Sequence, residues 1–182
     1  MWILSLISFL LLGGFLLLSA MRFGVPDMVS DTYYQLQGTT GSEVLGGKTK
    51  CNFGWVFSVV MCLVAGMMMV AILDLDKGIQ CLTFIGCGSL AFVGCAPNYL
   101  GDESRVHKIA ALVAAAGCIG WCLSVCWWVT LMVACLYACA MIKVYDRNKF
   151  IGFKVVSDHP WYWLEVSAFF DVFLTYWTTY NI

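Results

Sequence analysis

The sequence predicts an all-α fold: a polytopic membrane protein, a bundle of about six transmembrane helices forming one integral-membrane domain over residues 1–182. Two observations predict it. First, the stretches 1–21, 51–73, 78–101 and 109–142 contain no charged residue, and 160–182 contains only Glu165 and Asp171. A bilayer requires such runs, because crossing roughly 30 Å of hydrocarbon takes about 20 mostly apolar residues. Second, the cations gather at the ends of these runs in a pattern that only an even number of crossings explains. With 62% apolar and 12% charged residues, no second, soluble domain is expected.

The first span is read as 2–20. It opens Met1-Trp2-Ile3-Leu4 without the positive flank of a secretory signal, and Ser19-Ala20 is a weak cleavage motif, so the span is expected to be retained. The following loop, 21–50, is too long to be a mere connector. Gly38, Gly41, Gly46 and Gly47 predict an irregular second half. In its first half, Ser30 or Asp31 is placed to cap a short helix, with Tyr33 and Tyr34 at headgroup level. Spans two and three are read as 54–73 and 79–97.

The run 109–142 needs a decision. As one helix its 34 residues would be roughly 51 Å long, too long for a single crossing even with tilt. Two spans, 109–124 and 127–142, joined near Val125–Cys126, fit better, with Trp121, Trp127 and Trp128 as interfacial aromatics. The sixth span is 161–180. In this arrangement Arg22, Lys48, Lys50, Arg105, Lys108, Lys143, Arg147, Lys149 and Lys154 share one face, and only Lys77 lies on the other. Cytoplasmic loops are the ones rich in Lys and Arg, so both termini are expected outside the cytoplasm. A single span over 109–142 would instead divide the cations five and five.

Small residues four apart allow close helix approach in lipid. They run as Ala110, Ala114, Cys118, Cys122 and Cys126; as Cys87, Ala91 and Cys95; and as Ser58, Cys62 and Gly66. Packing within one bundle is the simpler expectation, and self-association through an outward stripe is the alternative. The ten cysteines include no Cys-x-x-Cys pair and read as small apolar residues.

Polar residues fall into two groups. The loop cluster comprises Ser30, Asp31, Asp102, His107, Asp158 and His159, all on the cationic face. Histidine with carboxylate can bind a metal or move protons. The competing reading is helix capping, by Asp102 before the fourth span and by Asp158 with Pro160 before the sixth. The second group is a stripe in the sixth span: Ser167, Asp171 and Thr175, with Thr179 beyond and Glu165 on a different face. An ionised Asp171 mid-membrane is expensive, so it either lines a cavity or is held by helix-to-helix hydrogen bonds.

Ser30-Asp31-Thr32-Tyr33-Tyr34, and Gly94-Cys95-Ala96-Pro97 through Asp102 to His107, resemble a group of small six-helix bacterial membrane proteins similar in outline to the Frag/Sfk/DRAM proteins. That resemblance implies a six-helix bundle in a bacterial inner (plasma) membrane and carries no activity with it. A more distant likeness is to the alkaline-ceramidase and progestin-receptor-like hydrolases, but their His-x-x-x-His pair and three zinc histidines are absent here.

No nucleophile elbow, zinc-protease helix or phosphate loop occurs. No catalytic residue, metal ligand or cofactor is therefore assigned, and the absence of a polybasic tail argues against nucleic acid as partner. The leading expectation is a non-enzymatic protein that binds lipid or a membrane partner, senses, or assists. The alternatives are a metal-dependent hydrolase using His107 and His159 with an aspartate, and a small transporter or oligomeric channel using Asp171.

Overall fold

The computed structural model describes residues 1–36, 53–95, 104–145, 156 and 158–181. Its described residues form helices and no strand. They are α1 (Trp2–Phe23), a 3-10 turn (Val29–Asp31), α2 (Thr32–Leu36), α3 (Gly54–Leu75), α4 (Gln80–Cys95), α5 (Ser104–Tyr145) and α6 (Pro160–Tyr180). By length and composition three helical segments suffice to cross a membrane: Trp2–Phe23, Gly54–Leu75 and Arg105–Met141.

The first of these shows why the chain belongs in lipid. In α1 the buried residues are Ser5, Ser8, Leu12, Leu16 and Ser19, while Ile3, Leu10, Leu17 and Leu18 are more than 60% exposed. Water would reverse that arrangement; hydrocarbon favours it, because each inward hydroxyl can then find a partner. Ser8 Oγ donates to the Val64 carbonyl at 3.3 Å and Ser19 Oγ to the Phe15 carbonyl at 2.9 Å. Gly24, at φ +86°, ends the helix in a conformation that a side chain would resist.

α5 spans 42 residues but is not one rod. Cys126 has φ −150° and ψ 66°, outside the helical region, at the joint expected from the sequence. The contacts on either side show that the chain folds back there. Trp121 Nε1 donates to the Lys77 carbonyl (3.1 Å), and Ser124 Oγ accepts the Ile79 amide (3.1 Å), which pins this point to the α3–α4 turn. His107, in the first arm, shares a chamber with Glu165, yet Tyr137, in the second, donates its hydroxyl to the Pro160 carbonyl at 3.0 Å. A straight helix would hold residues 107 and 137 about 45 Å apart. Trp121, expected at an interface, is fully buried at this reversal, whereas Trp127 and Trp128 are exposed. The difference is the Lys77 carbonyl, which gives the indole N–H an internal partner.

The helices therefore run alternately up and down: α1, α3, α4, the first arm of α5, its second arm, then α6. One end of the bundle collects Arg22, Arg105 and Lys108. The other holds Met1 and the last turn of α6, with the Met1 amino group 3.9 Å from the Asp74 carboxylate and Lys77 Nζ donating to the Thr179 carbonyl at 3.2 Å. Below, these are the cationic and the terminal end.

The small-residue stripes are only partly internal: Cys87, Ala114, Cys122 and Cys126 are buried, whereas Cys95 is exposed. The closest approach is made by glycines beside the expected stripe positions: a Cβ on Gly117 would lie 2.7 Å from the Gly86 amide nitrogen. Cys62 Sγ sits 3.3 Å from Cys95 Sγ across α3 and α4. Phe9 closes α1 onto α6 by edge contacts with Phe173 (5.3 Å) and Trp177 (5.0 Å).

Candidate functional site

A chamber of about 130 Å³ lies between α3, α4, the first arm of α5 and α6. Its walls are apolar, from Phe57, Met61, Leu90, Ala111, Phe169 and Val172 among others. Its polar side chains are Ser30, His107 and Glu165. The geometry follows from the sequence: Glu165 lies in the second turn of α6, His107 in the first turn of α5, and Ser30 in the 3-10 turn. All three stand at the cationic end.

Glu165 docks that turn. Its Oε2 accepts the Val29 amide at 2.7 Å, a charge-capable bond between residues 136 positions apart. The turn is closed in turn by Asp31, whose Oδ2 accepts the Met28 amide at 3.2 Å. Burial pushes the Asp31 carboxyl above the ordinary aspartate range; the Met28 N–H opposes this, Asp27 adds to it, and His107 also opposes it. His107 is half-buried, and its Nδ1 is enclosed without a hydrogen-bond partner. A buried polar atom left without a partner is costly, and here it belongs to a side chain that lines the chamber.

The expected loop cluster is thus divided. Ser30, Asp31 and His107 come together and are joined by Glu165 of the sixth span. His159 stands elsewhere, its Nδ1 3.1 Å from the Oδ1 of exposed Asp27. Asp158 is exposed, and the residue at the α6 N-cap position is His159, without a side-chain capping bond. That corrects the capping role expected for Asp158; Pro160 at the first helical position removes one of the unpaired N–H groups of the first turn. Asp102 lies outside the described residues. Among the described residues no group of three His, Cys, Asp or Glu side chains could hold a metal ion.

Asp31 does cap a short helix, the 3-10 turn itself, reaching back from its third position. One further expectation is revised. Tyr33, expected at headgroup level, is 6% exposed: its ring packs over Gly54 and against Phe57. The chamber's apolar roof is built partly from this loop, a role no local pattern announces.

The sixth-span stripe is only partly internal. Asp171, Thr175 and Thr179 are buried, whereas Ser167 is half-exposed and donates to its own Leu164 carbonyl at 2.8 Å. Four residues advance a helix by 400°, so a stripe of this spacing drifts about 40° per step. Across three steps, Ser167 has turned away from Thr179's face. Comparison of the chain with family models, with curated proteins and with solved structures finds no match.

Proposed function

We propose that this is a six-crossing membrane protein that holds the apolar end of a single-chain amphiphile in the chamber, with a neutral, hydrogen-bonding head at Ser30, His107 and Glu165. The observation that carries this reading is an apolar cavity whose polar groups all stand at one end, one of them His107 Nδ1, enclosed and without a partner. An apolar cavity on the order of 150 Å³ stays dry and accepts a benzene-sized guest, so the chamber suits a few carbons of a chain and not a whole phospholipid. Glu165 and nearby Asp31 disfavour a phosphate or carboxylate head and favour a hydroxyl.

The alternating run of the helices, with the two arms of α5 each taken as a crossing, supports six crossings of a plasma-type membrane. Arg22, Arg105 and Lys108 at one end support a cytoplasmic placement for that end and a non-cytoplasmic one for both termini. The test is photolabelling in nanodiscs with a long-chain alcohol bearing a diazirine at its chain end. Label is expected on α3 and α6 residues of the chamber, falling at least fivefold in Ala111→Phe. Equal labelling of lipid-facing Leu112 and the chamber, unchanged by Ala111→Phe, would contradict the reading.

A further inference from the structure

Asp171 is not among the residues lining the chamber. It is 3% exposed and lies six residues beyond Glu165, about 9 Å further along α6. Asp171 forms no ion pair among the described residues. A carboxylate at such depth without a counter-ion is expensive in its ionised form.

What surrounds it is specific. Thr175 Oγ1 donates to its Oδ1 at 3.5 Å. Cys122 from the first arm of α5 and Thr130 from the second both approach the carboxyl, so Asp171 sits where the chain reverses at Cys126. Thr130 Oγ1 is enclosed and forms no hydrogen bond of ordinary geometry. A protonated carboxyl is a donor as well as an acceptor, and that hydroxyl oxygen is available to receive its O–H.

Access is polar on one side. Thr179 Oγ1 donates to the Thr175 carbonyl at 2.7 Å, and Lys77 Nζ donates to the Thr179 carbonyl at 3.2 Å. These groups span the roughly 12 Å of α6 between Asp171 and the terminal end. Phe169, Val172 and Phe173, which flank Asp171 along α6, face the apolar chamber instead.

We infer that Asp171, Thr130 and Thr175 form a proton-binding site at the reversal of α5, reached from the terminal end of the bundle. The step is acid–base only: a carboxylate oxygen forms an O–H bond with a proton delivered by hydronium, and water is released. A hard metal cation is a poorer fit, because such ions take about six or more oxygen ligands, and the side chains here offer one carboxyl, two hydroxyls and a thiol. Cys122 is the titratable side chain brought by the first arm, the second arm brings uncharged Thr130, and Lys77 is the cation at the end of the polar column. Because both arms touch Asp171, its protonation bears on how they sit against α6.

The experiment is infrared difference spectroscopy of the full chain in vesicles, stepping pH in sodium-free buffer. A protonated-carboxyl C=O band is expected to appear as pH falls, to shift in deuterated water, to vanish in Asp171→Asn and to persist in Glu165→Gln. Asp171→Glu keeps a titratable carboxyl and is expected to retain a displaced band, which separates loss of the site from loss of the fold. A pH-dependent band unchanged in Asp171→Asn, or no such band in the wild type, would overturn the inference. So would a band abolished by adding sodium at constant pH, which would make the ligand a metal cation.

Discussion

Glu165 is the residue on which the chamber depends. Its carboxyl ties the Val29 amide to α6, and bonds to charge-capable groups contribute about 1.5–3 kcal/mol. Glu165→Ala leaves that amide unpaired and is expected to lower unfolding stability in detergent by about that amount. Glu165→Gln, which keeps an acceptor oxygen, is expected to lose less than half as much. Thermal unfolding monitored by tryptophan fluorescence would check both; equal losses in the two variants would show that the bond is not what holds the turn. Glu165, His107 and Ser30 were each legible as polar residues at the edge of a span, but their meeting was not. They come from segments 58 to 135 positions apart, and only tertiary packing sets which of several cationic-end residues face inward. Asp158 and His159 carry the same local signals and face elsewhere.

At the scale of elements, α4 and the first arm of α5 meet at Gly86 and Gly117, where a methyl group on either would strike backbone. Overpacking of this kind costs about 1–3 kcal/mol. Gly117→Ala is therefore expected to destabilise the protein within that range, whereas Gly13→Ala, where an added Cβ meets nothing within 4 Å, is expected to be neutral or slightly stabilising through helix propensity. Comparative melting curves in one detergent would check the pair, and equal behaviour would contradict the close approach. The helices themselves were legible because hydrocarbon imposes length and lack of charge. So was the break in α5, since 34 uncharged residues overfill a bilayer. Which small residues form the contact was not: Gly86 and Gly117 lie one position before Cys87 and Cys118 in the stripes, and helix rotation decides between neighbours. A short helix after Ser30 was expected, but the burial of Tyr33 was not, because a single turn has no periodicity to read.

For the whole molecule, one feature determines the rest. If α5 reverses at Cys126, the helices alternate, the cationic residues of α1 and α5 share an end, both termini share the other, and Asp171 meets both arms. If α5 continued straight, His107 and Tyr137 could not both reach the cationic end of α6. The most direct measurement is an electron–electron distance between genetically encoded spin labels at Val106 and Met141 in nanodiscs. Both arms touch α6, and neighbouring helix axes lie about 8–10 Å apart, so the reversed chain predicts a distance under about 30 Å. A distance near 52 Å, the span of 35 residues at 1.5 Å each, would contradict it.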